Sequence, residues 1–301
     1  MLAKSDARFR DYWLACGRGQ GRDRRWLTIA AVTDFELAHR YDTVNLHRRG
    51  AAAKLELNRP DTLNAWDAQL GLDLLAALKD VGGDSGVRAV LVTGAGRAFS
   101  SGADLRDGPV GGEDGARRVY QVLTERYHPI IRAVREMPKP VVAAVNGAAA
   151  GIGLSLALAC DLVVAAESAY FLLAFVNIGL VPDGGSSLLV PTRVGFARAA
   201  EMAMLGERIA AGQALEWGLI NRVWPDDEFA ARAEELLARL ADGPTRSYAG
   251  TKRQLNSWLY QRMDEQLELE AQVQREMAGS GDFAEGLKAF ADKRQPRFTG
   301  A

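Results

Sequence analysis

Two segments rich in small residues could bind a ligand through their backbone amides. The first, from Gly94 to Asp104, directly follows an apolar segment that we predict to be a buried strand. The second, from Asn146 to Gly153, lies between a predicted strand and a short apolar helix. Small side chains let N–H groups approach a ligand closely, and the positive end of the helix attracts an anion or oxyanion. The alternative for the second segment is a tight strand-to-helix turn without a ligand.

One carboxylate, Asp183, stands in a turn between an apolar stretch and a Gly-Gly pair. An aspartate at such a place caps a turn or helix more often than it acts as a catalytic acid or base, so the residues alone favour the cap. Apolar neighbours would partly remove Asp183 from water and raise its pKa from the usual value of about 3.9. Those neighbours are expected to be Phe171, Leu172, Leu173, Phe175 and Leu180.

Other kinds of catalytic site find little support. The first segment begins like a dinucleotide-binding fingerprint, but Phe99 takes the place of the third glycine and no helix follows. Nucleophile-elbow, P-loop and zinc-protease motifs are absent from the sequence. The three histidines lack the spacing of metal ligands, and the two cysteines do not suggest a disulfide framework. We therefore expect carboxylates and backbone groups to carry the chemistry.

The composition excludes several classes of partner. The chain has 301 residues, of which 48% are hydrophobic, enough for one large domain or two smaller ones. Its 37 Lys and Arg residues nearly balance 38 Asp and Glu residues, so no overall field attracts nucleic acid or an anionic membrane. No uncharged apolar run reaches the roughly 18–20 residues of a membrane span, and the first residues lack the apolar stretch that is typical of a secretory signal. We expect a cytoplasmic protein that binds neither nucleic acid nor membranes.

Regular hydrophobic periodicity begins at Tyr41 and predicts an α/β core over residues 41–240. Predicted strands cover residues 41–47, 51–57, 87–93, 141–145, 161–165 and 170–173, and predicted helices cover 67–79 and 154–159. Further helices are predicted at 197–205, 210–216, 229–240, 244–259 and 263–277, with a last one starting near Asp282. The helical C-terminal region, 241–301, either covers its own core or packs on another subunit. We interpret residues 1–40, which are rich in Arg, as an N-terminal extension: an ordered segment, a disordered tail, or sequence read from upstream of the true start.

Several strings of residues, taken in order, resemble the crotonase superfamily, the enoyl-CoA hydratase/isomerase family. They are LNRP (57–60) with LNA (63–65), TGAGRAFSSGADL (93–105), KPVVAAVNG (139–147), LALACD (156–161), IGLVPD (178–183) and AGQALEWGLI (211–220). The resemblance covers about residues 41–298. It implies a spiral of repeated β-β-α units with a helical C-terminal region, and a homotrimer or a dimer of trimers. It also implies an acyl-CoA substrate and no cofactor, because coenzyme A is part of the substrate.

The resemblance further implies which residues form the site. Two backbone amides, those of Ser101 and Ile152, would hold the thioester oxygen. The expected substrate-binding residues are Arg59, Leu63, Ala98, Ser100, Gly102, Ala103, Asp104, Leu105, Gly151, Ser155 and Phe175. Additional candidates for contact with coenzyme A are Phe283, Lys293 and Arg294.

Two departures from the family pattern bear on the reaction. Typical hydratases of the family carry two glutamates where this sequence has Ser155 and Phe175. Asp183 stands where double-bond isomerases keep an aspartate, and residues 147–195 most resemble the 1,2-epoxyphenylacetyl-CoA isomerase branch of phenylacetate catabolism. We therefore expect isomerisation with Asp183 as acid and base, while Ser155 either orients the substrate or a water or bonds the backbone. The alternatives are an enoyl-CoA hydratase and an acyl-CoA-binding protein without activity.

Overall fold

The computed structural model describes residues 34–106 and 113–301, so the prediction for residues 1–33 lies outside the described chain. Residues Phe35–Ala301 form one compact unit that includes the C-terminal helices. Its first strand, Glu36–Arg40, begins before Tyr41, where regular structure was predicted to start. Every residue of that strand is exposed, so it lacks the alternation of buried and polar residues by which strands are predicted.

Eleven strands form two sheets within the described residues. In chain order they are β1 (Glu36–Arg40), β2 (Val44–Arg49), β3 (Ala52–Leu57), β4 (Ala89–Gly94), β5 (Ala98–Ser100), β6 (Val141–Val145), β7 (Ala148–Ala150), β8 (Leu162–Ala166), β9 (Tyr170–Leu172), β10 (Ile209–Ala210) and β11 (Arg222–Trp224). The larger sheet has the order β1-β2-β3-β4-β6-β8-β11, and the smaller one has the order β10-β9-β7-β5. Strands β1 to β3 pair antiparallel, and β3 to β11 of the larger sheet pair parallel.

The two sheets are built by a repeated path of the chain. In each of the pairs β4-β5, β6-β7 and β8-β9, the first strand joins the larger sheet and the second joins the smaller one. Successive turns of this path lie parallel, with Val90 opposite Val141 and Val142 opposite Leu162. Helices follow each pair of strands. The predicted α/β fold, a spiral of β-β-α units with a helical C-terminal region, is confirmed.

Helices cover the sheets and make up the C-terminal region. They are α1 (Ala68–Gly83), α2 (Glu113–Val122), α3 (His128–Glu136), α4 (Ile152–Ala159), α5 (Ser186–Leu189), α6 (Pro191–Leu205), α7 (Ala211–Glu216), α8 (Asp226–Asp242), α9 (Thr245–Leu259), α10 (Met263–Ala278) and α11 (Gly281–Ala291). A π-helical turn, Leu123–Tyr127, joins α2 to α3, and short 3-10 turns cover Pro60–Thr62 and Phe175–Ile178. None of the described helices is both long and apolar enough to cross a bilayer.

Helix α4 lies in the core, where it positions the second small-residue segment. All eight of its residues are buried, because its sequence, IGLSLALA, offers no polar face to solvent. It follows β7, so its first turn lies at the end of the smaller sheet. Helix α10 packs against α2 and α5, and thereby brings the C-terminal region beside the turn that holds Asp183.

Candidate active site

A cavity of about 250 Å³ lies where the predicted loops meet the C-terminal helices. Its described walls come from residues 66–68, the end of the first small-residue segment, α2 with its π-helical turn, the Asp183 turn, α10 and α11. Of the predicted substrate-binding residues, it contains Ala103, Asp104 and Leu105, together with Phe283. Within the described chain, no group of three or more His, Cys, Asp or Glu residues is placed to hold a metal ion.

Asp183 is a buried carboxylate in the wall of this cavity. It is 5% exposed, and its Oδ2 accepts a hydrogen bond from Nε2 of Gln274 at 2.8 Å. Its Oδ1 has no hydrogen-bond partner among the described residues. Burial raises the pKa of Asp183 to about 7, the negative charge of Glu270 also raises this pKa, and the bond from Gln274 lowers it. The carboxyl group can therefore exchange a proton near neutral pH.

The side chain of Asp183 does not cap a helix. Its backbone carbonyl, not its carboxylate, accepts hydrogen bonds from the N–H and the hydroxyl of Ser186, at 3.1 and 2.8 Å. The hydroxyl of Ser155 donates to the same carbonyl at 2.8 Å. Gly185 is the N-cap of α5 and provides no side-chain cap. The turn is thus held through the backbone carbonyl of Asp183, and its carboxylate takes no part in these hydrogen bonds.

The apolar wall of the cavity includes only one of the five residues predicted to surround Asp183. Leu180 lines the cavity, whereas Phe171, Leu172, Leu173 and Phe175 do not. The other apolar walls come from α2, the π-helical turn and α11, through Val119, Val122, Leu123, Tyr127 and Phe283. Val119 and Val122 were not predicted because α2 is rich in charged residues and carries only a narrow apolar stripe, whereas Phe283 was among the candidates for contact with coenzyme A.

Helix α10 fixes the Asp183 turn through polar side chains spaced four residues apart. The carboxylate of Glu270 accepts hydrogen bonds from the N–H groups of Gly185 and Ser187 at 2.7 and 3.0 Å, and from the Ser187 hydroxyl. Gln266 donates to that hydroxyl at 2.8 Å. Burial raises the pKa of Glu270 to about 7, although the three donors lower it. Glu270 and Gln274 lie within the buried stripe of α10, a pattern that could have indicated from the sequence that they are buried.

The prediction that the amide of Ser101 holds a substrate oxygen is wrong. This amide donates to the carbonyl of Leu63 at 2.9 Å and is therefore occupied. The loop pairs with the segment before α1 as a strand would, because Trp66 N–H donates to Gly102 and Asp104 N–H donates to Trp66. Along such a pairing alternate amides point to opposite sides. The amide of Ala103 accordingly has no acceptor among the described residues, and Ala103 lines the cavity.

A second free amide belongs to Ile152, the first residue of α4. Amides of the first helical turn have no partner within the helix, and no other described acceptor bonds this one. The two small-residue loops touch, since a Cβ at Gly102 would lie 3.1 Å from the carbonyl oxygen of Ala150. The Ile152 side chain fills the space beside Gly184, which follows Asp183. The free amides of Ala103 and Ile152 therefore belong to adjoining loops next to the carboxylate.

The remaining predicted residues do not line the cavity. Arg59 forms ion pairs with Asp67 at 3.0 Å and Asp104 at 3.3 Å, and hydrogen bonds from Arg106 and Arg59 hold the pKa of Asp104 below its usual value. Ser155, expected as a possible substrate contact, is fully buried and bonds the backbone. The predicted residues outside the cavity wall are Arg59, Leu63, Ala98, Ser100, Ser101, Gly102, Gly151, Ile152, Ser155, Phe175, Lys293 and Arg294.

Comparison with known proteins gives consistent matches. Residues 47–301 match a family described as enoyl-CoA hydratase/isomerase. The chain is 44% identical over 260 residues to a probable enoyl-CoA hydratase of Rhodobacter capsulatus, covering 86% of this chain and 99% of that protein. It is 42% identical over 254 residues to the 1,2-epoxyphenylacetyl-CoA isomerase of Escherichia coli K12, covering 84% of this chain and 97% of that protein. A crystal structure of an enoyl-CoA hydratase from Mycobacterium avium subsp. paratuberculosis is similar with a TM-score of 0.79 and 39% identity, covering 86% of this chain and 100% of that one.

Proposed function

Because the chain belongs to the enoyl-CoA hydratase/isomerase family, whose members act on acyl-CoA thioesters, we propose that it is an isomerase with Asp183 as acid and base. It would move a double bond, or rearrange an unsaturated ring, in the acyl group. The observation that carries this proposal is the buried Asp183 carboxylate, with one oxygen held by Gln274 and the other without a partner in the cavity wall.

The two free amides supply the electrostatic part of the proposed mechanism. Removal of a proton from the α or γ carbon of a thioester places negative charge on the carbonyl oxygen. Donors already oriented toward that oxygen stabilise the charge without reorganising, and each is typically worth about 2.7–4 kcal/mol. The amides of Ala103 and Ile152 fit this role because no described group accepts from them and their loops adjoin.

Asp183 supplies the proton transfer. In its ionised form, Oδ1 would take the proton from one carbon, and the resulting acid would return it at another carbon. Such a positioned group contributes roughly 10²–10⁴-fold to the rate. The raised pKa of Asp183 suits both steps, since neither the acid nor the base form is strongly disfavoured near neutrality.

Hydration is the second candidate, favoured by the name of the Rhodobacter relative. In the two-glutamate pattern a second carboxylate helps to activate water, but here the corresponding residues are Ser155 and Phe175. The hydroxyl of Ser155 is bonded to the Asp183 carbonyl. The other described carboxylates of the cavity wall, Asp67 and Asp104, are paired with Arg59. These observations support isomerisation over hydration, and the poised carboxylate supports an enzyme over an inactive acyl-CoA-binding protein.

The test is turnover of a panel of CoA thioesters by the purified chain. A 3-enoyl-CoA should be converted to the conjugated 2-enoyl-CoA, and an aryl-acetyl thioester with a ring epoxide tests ring rearrangement. Turnover should persist in the presence of a metal chelator, because no step requires a metal or redox cofactor. Loss of the conjugated absorbance of crotonyl-CoA without isomerisation of the 3-enoyl thioester would instead identify a hydratase. Binding without any turnover would identify the inactive binding protein.

The variant Asp183→Asn tests the role of the carboxylate. It should lose isomerase activity by at least about 100-fold, as expected for a general acid–base group, and still bind the thioester in calorimetry. The matched control is Asp227→Asn, which changes an exposed aspartate of α8. Unchanged turnover in Asp183→Asn would remove this residue from the mechanism.

We also propose that the chain forms a homotrimer or a dimer of trimers. Helix α9 exposes three large apolar side chains, Leu255, Trp258 and Leu259, which solvent-facing helices rarely present together. Light scattering of the full chain measures the assembly, and Trp258→Glu should shift it toward the monomer. A monomeric mass for the unmodified chain at micromolar concentration would contradict this proposal.

A further inference from the structure

The cavity wall carries a hydroxyl group that the proposed isomerisation does not use. Tyr127 is 6% exposed and closes the π-helical turn Leu123–Tyr127. Its ring packs edge-on against Trp66, with the ring centroids 5.2 Å apart. The hydroxyl has no hydrogen-bond partner in the described part of the chain, and it is not among the polar atoms that are sealed from solvent. The packed ring therefore holds a free polar group at the cavity.

This hydroxyl is a hydrogen-bond donor at every pH near neutrality. Burial and the negative charge of Asp183 both raise the pKa of Tyr127, so the phenol stays protonated. A protonated phenol at this place can donate to an oxygen atom of a ligand. A hydrocarbon has no acceptor atom, so it cannot form a hydrogen bond with this hydroxyl.

A second donor without a partner stands next to it in the same wall. Arg126 is half-buried and lines the cavity, and it forms no ion pair or hydrogen bond within residues 34–106 and 113–301. The carboxylates of Asp67 and Asp104, which also line the cavity, pair with Arg59 instead. The wall therefore carries two donors, on Tyr127 and Arg126, that no described acceptor satisfies.

An acyl group that filled this cavity would remove the donors from water. A plain hydrocarbon chain would leave them without partners, and an unsatisfied buried donor costs more free energy than a hydrogen bond contributes on average. An acyl group that carries an oxygen acceptor would instead accept hydrogen bonds from these donors in place of the displaced water. Sites built to hydrogen-bond a substrate in this way reject analogues that lack the bonding atom.

We propose that Tyr127 is a specificity-determining residue whose hydroxyl donates to an oxygen carried by the acyl group, so that the cavity selects oxygen-bearing acyl groups over hydrocarbon chains. Arg126 adds a cationic donor to the same subsite. This inference rests on the proposed function, since it takes the ligand of the cavity to be the acyl part of a CoA thioester.

The test compares two saturated thioesters that cannot undergo double-bond isomerisation, hexanoyl-CoA and 5-oxohexanoyl-CoA. Calorimetry on the full chain should show that the oxo ligand binds about 3- to 10-fold more tightly, as one added hydrogen bond predicts. Tyr127→Phe keeps the ring and removes the hydroxyl, so it should abolish this preference and leave hexanoyl-CoA binding within about twofold. The matched control is Tyr120→Phe, because the Tyr120 hydroxyl donates to Glu268 at 2.9 Å and Tyr120 is not part of this cavity wall.

The possible results separate this inference from the proposed function. Equal binding of the two ligands by the unmodified chain, or a preference that survives in Tyr127→Phe, would overturn the role of Tyr127. Isomerisation of a 3-enoyl-CoA would still support the proposed function in that case. If neither thioester bound, the proposed function would fail and the role of Tyr127 would fail with it. If Tyr127 had a purely structural role, Tyr127→Phe would weaken the binding of both thioesters alike. That result would also count against the inference.

Discussion

Gln274 donates a hydrogen bond to Oδ2 of Asp183 at 2.8 Å, across 91 residues of sequence. The side-chain carbonyl oxygen of Gln274, Oε1, accepts a hydrogen bond from the N–H of Val181 at 3.1 Å. Because both ends are occupied, a rotated amide would place its oxygen against the carboxylate and its NH₂ group against another donor. Gln274 therefore has one favourable orientation, and that orientation leaves Oδ1 of Asp183 without a partner.

The variant Gln274→Leu should move the acid limb of the pH–rate profile to higher pH. The hydrogen bond from Gln274 lowers the pKa of Asp183, so its removal raises that pKa further. We expect kcat at pH 7 to fall about tenfold, while KM changes less than about twofold, because the residue acts through Asp183. The control is Gln272→Leu, which removes an exposed side chain bonded to Glu268 on the same helix. An unchanged profile in Gln274→Leu would show that Gln274 does not tune Asp183.

The unmodified enzyme should lose activity as the pH falls below about 7. The proposed base is ionised Asp183, whose pKa is raised to about 7 by burial. Initial rates with a 3-enoyl-CoA between pH 5 and 9 should therefore show kcat/KM rising tenfold per pH unit up to about pH 7 and then levelling. A limb centred near pH 4, the ordinary range of an aspartate, would mean that the titrating group is not the buried carboxylate.

The variant Asp183→Asn should be more stable than the unmodified chain at alkaline pH. Since the folded-state pKa lies above the unfolded one, the folded chain binds more protons between about pH 4 and pH 7, and its stability falls as the pH rises through that window. Asparagine removes this charge, so urea unfolding at pH 8 should show a gain on the order of 4 kcal/mol, since a pKa difference of one unit corresponds to about 1.4 kcal/mol. At pH 4 the two proteins should unfold alike. An equal gain at both pH values would trace the effect to packing.

The close approach of α4 to β5 should make Gly153 intolerant of a side chain. A Cβ at this position would lie 2.6 Å from Cβ of Ser100 and 3.0 Å from its carbonyl oxygen. Gly153→Ala should therefore cost about 1–3 kcal/mol in urea unfolding and lower kcat, because it pushes the two small-residue loops apart. In Gly212→Ala the new Cβ meets nothing within 4 Å, and the helix should gain stability by up to about 1 kcal/mol. Similar behaviour of the two variants would contradict the close contact.

The fold was largely predictable where burial follows the local sequence. Strand β6 has the predicted bounds, Val141–Val145, because a continuous apolar run is unambiguous. Helices α2 and α3 were not predicted, since charged residues interrupt their apolar stripes. The short strands β5, β7, β10 and β11 have two or three residues each, too few to show a period.

Sequence reasoning identified the segments of the candidate site but did not assign every hydrogen-bonding group correctly. The two small-residue segments and Asp183 were identified from residue type and the family resemblance, and the structure places both loops beside the carboxylate. The free amide was assigned to Ser101, whereas the structure leaves the amide of Ala103 without a described acceptor; the alternation of amides depends on pairing with residues 63–66, a contact made by distant segments. The partnership of Asp183 with Gln274 is likewise a product of tertiary packing, which local patterns do not encode.

The dependence of the Asp183 turn on α10 has a consequence for biosynthesis. Asp183 leaves the ribosome well before the residues of α10 that hold its turn. Gln274 follows Asp183 by 91 residues, and Glu270 follows Gly185 by 85 residues. A nascent chain that has released only the spiral of strands thus contains the carboxylate without the helix that orients it. The Asp183 carboxylate is therefore oriented only after α10 has been synthesised and has docked on the turn.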